Sequence, residues 1–499
     1  MGLPRRLATA CAPQPATAPA FTATSLMALS IAHSCALAFT ALNTNYIRLH
    51  PAARWRARTL GLQHRGDNDM GRAIDGQYTH SVGRLDGSQG VSAHAAVARG
   101  GGSNALQPVT KPASPDISRR FPLMVHCHLR WDFVWQRPQQ LFSRLAAEHP
   151  VLFVEDPLPG DGDAHLDITE PYANVVRLVP RLPHDAPADT DAQWRLLIPL
   201  IEQALLRHPL LAGRFANPVQ WFYSPMSAPM LLGRFGSRGI VYDCMDELAN
   251  FRFAPPDIVA RERYLLSRAD VVFTGGYQLY EAKARHHPTV YFHGCGVDVG
   301  HFGRARLAST EVPASVADLP GPILGYVGVI DERLDYALIE ALALANPDAS
   351  VVMAGPLAKV ERADLPDLPN IHWLGQQPYE ALPALVKGFD VCLMPFALND
   401  ATRYINPTKT LEYMATGKPV VSTAVADVVR NFTPVVDVAY STEEFLDAVR
   451  RAIDGADPTL LREGIARAMD ASWDSTVATM RSELLGAVMP VRALHAGAQ

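Results

Sequence analysis

From Phe121 onward the chain alternates short, continuously apolar runs with longer segments of helical character, and this alternation limits the fold more than any other feature. "FPLMVHCHL" reads as a strand, "PQQLFSRLAAEH" as a helix opened by Pro138, and "VLFVEDP" as a strand. "VQWFYSP", "GIVYDCMDE", "DVVFTGG" and "TVYFHGCGVD" continue the series. Strands that are apolar throughout are buried on both faces, and strands separated by helices form parallel sheets. The pattern restarts with "PILGYVG", the helix "LDYALIEALALA" and "SVVMAGP", then "NIHWLG", "DVCLMPF" and "KPVVST". The expected fold class is therefore α/β. Two tandem Rossmann-like, doubly wound domains, 119–305 and 320–470, face a cleft, and a C-terminal helix spans 471–490. Ligands of such sheets bind beyond the carboxyl ends of the strands, so residues just after strands deserve the closest reading.

Residues 1–118 differ. Stretches such as "APQPATAPA", "VARGGGSN" and "QPVTKPASP" are rich in Ala, Pro, Gly and Ser, and read as a disordered low-complexity extension. Residues 21–42 are long enough to span a bilayer, but Thr, Ser and His dilute them, making a poor transmembrane segment. A signal peptide fits badly with unpaired cysteines, and a start further along, at Met70 or Met124, stays open. The six cysteines show no CxxC pair and no metal-ligand spacing. Several lie in apolar runs, which suits buried free thiols in a reducing compartment. A net charge of -5 and a pI near 6.4 give no nucleic-acid footprint.

"INPTKTLEYMATGKPVVST", residues 405–423, carries an informative conflict. Asn406 suits an N-cap, Pro407 the first helical position, and Gly417 a left-handed stop. Lys409 then sits in the first turn, where the helix dipole disfavours a cation. An anion between Lys409 and the free N–H groups would reverse that penalty; a solvated surface lysine is the alternative.

The longer stretch "DVCLMPFALNDATRYINPTKTLEYMATGKPVVST" resembles the donor-binding segment of GT-B glycosyltransferases of the family 4 type, also called glycosyltransferase group 1. That family carries two glutamates separated by seven residues before an A-x-G-x-P-V-V tail. Glu412 and "MATGKPVV" match the second glutamate and the tail, whereas Tyr404 stands where the first would be. "GVD" at 296–298 with Phe302, and "IHWLGQQPYEALPALVKGFDVCLMP", also resemble the family. The resemblance covers about 121–490. It implies a nucleotide diphosphate-sugar as donor substrate, with no separate cofactor.

On that reading Glu412 accepts hydrogen bonds from a ribose diol, while Lys409, Asn406 and Thr408 face phosphate oxygens. A surface Lys409–Glu412 pair is the rival. In "GYVGVIDERLDYAL", Gly328 permits close backbone approach, and Arg333, placed in the first turn of the next helix, is a candidate phosphate ligand. Val329 replaces the basic residue the family usually carries earlier in this loop. "HLRWDFVWQRPQQ" offers His128, Trp131, Asp132 and Arg137 to an acceptor, with aromatic packing as the rival for the tryptophans. In "YDCMDELANF", Asp246 is the candidate general base, with Asp132 as a second catalytic carboxylate; capping the following segment is the rival for Asp246. "DGD" at 161–163 mimics a metal motif by chance, and no metal site is expected.

The expected function is metal-independent transfer of a sugar to an envelope polysaccharide or lipid-linked glycan, with retention or inversion open. The expected location is the cytoplasm, with peripheral contact at the inner face of the membrane for a lipid-linked acceptor, and no nucleic-acid partner. An epimerase or phosphorylase on the same fold, or a non-catalytic nucleotide-sugar-binding module, are the alternatives.

Overall fold

The computed structural model describes residues 120–489. The expected extension 1–118, with its 21–42 segment, lies outside the described residues.

The first sheet has nine strands: β1 (Leu123–Cys127), β2 (Val151–Glu155), β3 (Leu158–Pro159), β4 (His165–Tyr172), β5 (Val175–Leu182), β6 (Val219–Phe222), β7 (Gly239–Cys244), β8 (Val271–Thr274) and β9 (Val290–Phe292). Its order is β3-β5-β2-β1-β6-β7-β8-β9, with β4 paired to β5. Alternate residues of β1 serve the two faces: Leu123, Val125 and Cys127 join one core cluster, and Met124 joins the other. Burial on both sides is why the central strands contain no polar alternation.

One element departs from the all-parallel expectation. β4 runs antiparallel to β5, joined through Ala173–Asn174 with Asn174 at φ 63°. Its sequence, "HLDITEPY", is largely exposed at the sheet edge, so it lacks the apolar run that marks the buried strands. Asn tolerates the left-handed turn conformation that such a short hairpin needs.

The second sheet is wholly parallel: β10 (Ile323–Val327), β11 (Ser350–Ala354), β12 (Ile371–Gly375), β13 (Val391–Met394), β14 (Val420–Thr423) and β15 (Asp437–Ala439). Its order, β12-β11-β10-β13-β14-β15, reverses between β10 and β13. At such a switch point the two following loops diverge and leave a crevice. In the first sheet the same reversal falls between β1 and β6.

The last helix, Trp473–Val488, follows the second domain in sequence but packs on the first. Trp473, Val477, Met480, Leu484 and Val488 share a core cluster with Leu123, Phe142 and Trp221. Arg144 of the first helix (Arg137–Leu145) reaches Asp474 at 2.7 Å. The chain thus returns to its first domain and ties the two together. Polar contacts between the domains add to this tie. Gln140 donates to the Tyr379 hydroxyl at 3.1 Å, Gln376 to the Phe133 carbonyl at 2.8 Å, and Asn406 to the Gly275 carbonyl at 3.1 Å.

Candidate active site

The carboxyl ends of the two sheets enclose one cavity of about 560 Å³. Its walls are the loops after β1, β7, β10, β11, β12 and β13, the strand-end segments that sequence reasoning favours.

The helix after β13 is Lys409–Thr416, with Thr410 to Thr416 all buried. Gly417 ends it at φ 75°, as expected of a left-handed stop. Its start differs from expectation. Thr408 occupies the cap position in a helical conformation without a side-chain cap bond, while Asn406 reaches across to Gly275. Asn406 is pulled off the cap because the neighbouring domain supplies a carbonyl that needs a donor. Asn406, Pro407, Thr408 and Lys409 line the cavity. Lys409 Nζ lies 2.8 Å from Glu412 Oε2, with side chains 17% and 12% exposed. The pair is therefore largely buried rather than solvated, and Glu412 sits one turn behind the cavity wall.

Gly328 follows β10, and Gly355 follows β11. A Cβ on Gly355 would lie 1.7 Å from the Gly328 carbonyl oxygen, so these two turns meet backbone to backbone. Arg333 lies in the loop rather than in the first helical turn. The helix begins at Tyr336, where the Asp335 side chain accepts from the Leu338 N–H at 2.9 Å. Asp331 grips the Arg333 guanidinium through both oxygens, at 3.0 Å to Nε and 2.7 Å to Nη2. Burial works against the charge of Arg333, but the Asp331 carboxylate outweighs it and holds the guanidinium more basic than usual. The Ala397 N–H donates to the Arg333 carbonyl at 2.8 Å, stitching the β10 and β13 loops together across the switch point.

The three acidic residues after β7 have different partners. Asp243 is fully buried and binds Arg137, at 2.9 Å to Nη2. Glu247 binds Lys283 at 2.7 Å. The Asp246 carboxylate accepts no hydrogen bond among the described residues and lines the cavity. Burial raises it from 3.8 to about 6, with nearby Arg333 pulling the other way. A carboxylate of that kind is poised to exchange a proton near neutrality. The capping role weighed for Asp246 is not what the geometry shows.

The other first-domain candidates separate as well. Arg137 borders the cavity, but its guanidinium is engaged by Asp243 and donates to the His293 carbonyl at 2.9 Å. It anchors the first helix to β7. Trp131 is buried edge-on against Phe153 at 5.1 Å and Trp135 at 5.9 Å, giving the cavity an aromatic floor that belongs to the core. Asp132 is exposed at the mouth and ion-paired with Arg177. His128 lies in a side chamber that the cavity shares through Asp246 and Arg333.

Tyr379 is absent from the sequence-based candidates yet stands at the centre of the cleft. Its ring stacks on His301 at 4.1 Å, its carbonyl accepts from the His301 Nε2–H at 2.9 Å, and its hydroxyl accepts from Gln140. The strand-end rule would have reached it, since "QQPYE" follows β12. The "GVD" aspartate, Asp298, accepts from the His301 N–H at 2.9 Å and so holds that stack in place.

Residues 321–455 match the family model for Glycosyl transferases group 1. The putative teichuronic acid biosynthesis glycosyltransferase TuaH of Bacillus subtilis (strain 168) is 25% identical over 272 residues, covering 50% of this chain and 68% of that protein. The E. coli trehalose-6-phosphate structure bound with UDP-2-fluoro glucose superposes with a TM-score of 0.54 at 15% identity, over 74% of this chain and 99% of its own. Sucrose-phosphate synthase from Thermosynechococcus elongatus gives 0.52 at 17% identity, over 76% and 100%. These likenesses bear out the resemblance of the donor segment and establish the fold as GT-B.

Proposed function

We propose that this GT-B glycosyltransferase moves a sugar from a nucleoside diphosphate donor to a hydroxyl of an envelope polysaccharide or lipid-linked glycan. One observation carries the reading. Lys409 and Arg333 border the cavity from the second domain, and the unpaired carboxylate of Asp246 borders it from the first. Two cations suit a leaving diphosphate, and a carboxylate near neutrality suits a hydroxyl that must lose its proton. With the cations supplied by the chain, the reaction proceeds without a metal, and turnover persists in excess chelator. The uridine diphosphate sugar held by the E. coli relative supports a uridine nucleotide donor, and the B. subtilis relative supports a polysaccharide product.

No helix among the described residues is long and apolar enough to cross a membrane. For a lipid-linked acceptor the reading includes contact at the membrane surface, which vesicle sedimentation with and without that lipid measures. The deciding experiment incubates the full chain with a panel of nucleotide sugars and glycan acceptors and identifies the products by mass and anomeric configuration. A glycosylated acceptor with nucleoside diphosphate released in equal amount supports the reading. Epimerised donor, phosphorolysis of a glycan, or donor binding without product on any acceptor overturns it.

A further inference from the structure

The helix Tyr277–Ala284 of the first domain starts without a side-chain cap of its own. Gly276 stands at its cap position and offers nothing to the free N–H groups of the first turn. The acceptor comes from the second domain instead. Asp427, fully buried in the first turn of the helix Ala426–Phe432, accepts the Tyr277 N–H through Oδ2 at 2.7 Å. Glycine permits this approach. A Cβ on Gly276 would lie 2.8 Å from the Tyr404 carbonyl oxygen and 3.0 Å from Asp427 Oδ2, so a serine or aspartate there would push the domains apart. The residues on either side are held as well. The Arg430 guanidinium lies over the Tyr277 ring at 3.3 Å, and Asn406 donates to the Gly275 carbonyl.

Three consecutive residues, Gly275 to Tyr277, are thus gripped by the second domain, and the same stretch packs against the loop of the proposed base. The Gly275 N–H donates to the Cys244 carbonyl at 3.0 Å, and a Cβ on Gly275 would lie 3.3 Å from Met245 Cα. Met245 precedes Asp246. On the second-domain side, Asn406 opens the segment that brings Lys409 into the cavity wall. One short stretch therefore sets the spacing between Asp246 and the donor segment.

We propose that Asp427 is a positioning residue: its cap across the domain boundary fixes Gly275–Tyr277 and so holds Asp246 at working distance from the donor. The proposal rests on the glycosyltransferase reading above and deepens it. Its test measures kcat, nucleoside diphosphate affinity and melting temperature in the full chain, with the donor and acceptor identified as above. Asp427→Leu removes the hydrogen-bond acceptor and should lower kcat about 10–100-fold, since a misplacement near 1 Å costs up to about that much. Nucleoside diphosphate affinity should stay unchanged, because Lys409, Glu412 and Arg333 all belong to the second domain. Asp427→Asn should restore most of kcat, because asparagine caps a helix as well as aspartate does. Arg430→Ala, a change at an exposed residue, should lower kcat by less. Asp457→Ala is the control for loss of a cap. Asp457 accepts the Thr459 N–H at 2.7 Å within the second domain, so its removal should lower the melting temperature without slowing turnover.

Full kcat in Asp427→Leu overturns the proposal. So does an equal loss of kcat and nucleotide affinity, or an Asp427→Asn protein as slow as Asp427→Leu. If the full chain transfers to no acceptor, the transferase reading falls and solution scattering decides the fastening on its own. With nucleoside diphosphate bound, Asp427→Leu should show a larger radius of gyration than its parent, and equal radii overturn the fastening too.

Discussion

Lys409 and Glu412, a turn apart on one helix, hold each other at 2.8 Å, Lys409 in the cavity wall and Glu412 behind it. Each is therefore positioned by the other, and their contributions to donor binding are coupled. Lys409→Ala and Glu412→Ala should each weaken nucleoside diphosphate binding by about 1–3 kcal/mol, the range for charge-assisted hydrogen bonds. The double variant should lose less than the sum, because the second substitution removes a partner already missing. Calorimetry on the four proteins reads the coupling. Unchanged affinity in both single variants would remove the pair from the donor site.

The contact between Gly328 and Gly355 leaves no space for a side chain. In Gly355→Ala the new Cβ would meet a backbone oxygen at 1.7 Å, and one of the two turns must move. Overpacking of this kind costs about 1–3 kcal/mol, and both turns border the cavity, so donor affinity should fall with the melting temperature. Gly486→Ala is the control. Nothing lies within 4 Å of its added Cβ in the terminal helix, and helix propensity favours alanine by about 0.5–1 kcal/mol. Thermal melts of the two variants should shift in opposite directions.

Legibility from sequence followed burial. β1, β2, β6 to β8, β10, β11, β13 and β14 are buried on both faces, so their apolar runs declare them. β4 is exposed and polar, and nothing in its composition separates it from a loop. The candidate site was legible as far as chain position decides it: Arg333 and Asp246 stand in the loops after strands, Lys409 opens the helix that follows β13, and all three reach the cavity. What sequence could not decide was which polar group takes which partner. Arg137 finds Asp243 from 106 positions away, and Asn406 finds Gly275 from 131. Only the fold brings them together. Tyr379 was passed over for a different reason: a tyrosine after a half-buried strand carries no charge to attract attention.

Lys283 supports the loop that presents Asp246. Its side chain is 5% exposed and lies 2.7 Å from both Glu247 and Glu262. Lys283→Met would leave two carboxylates facing each other in a buried setting. Breaking such a network costs about 3–5 kcal/mol, so denaturant unfolding should show a loss of that order. Glu247→Gln in the Lys283→Met background should recover part of it. A Lys283→Met protein as stable as its parent would show that the network is relaxed by solvent.

Asp246 makes the sharpest forecast, because its proposed role and its cost to the fold point in opposite directions. As general base it must be ionised, so turnover should rise with pH through about 6, the value to which burial lifts it. Arg333→Ala removes the neighbouring cation that favours ionisation, and should move that limb to higher pH. Asp246→Asn removes the base and should lower kcat by about two to four powers of ten with donor affinity nearly unchanged. The effect on stability has the reverse sign. A carboxyl whose folded value lies above its unfolded 3.8 keeps its proton in the native state while the unfolded chain has lost its own. Between pH 3.8 and about 6 the native state therefore binds more protons, and stability falls as pH rises through that window. Above it the penalty is constant, at most roughly 3 kcal/mol at about 1.4 kcal/mol per tenfold change. Asparagine carries no such penalty. The variant should unfold at higher temperature than the parent at pH 7, and the gap should close as pH approaches 4. A variant that keeps full turnover, or one that melts lower at pH 7, would place Asp246 among the structural carboxylates beside Asp243 and Glu247.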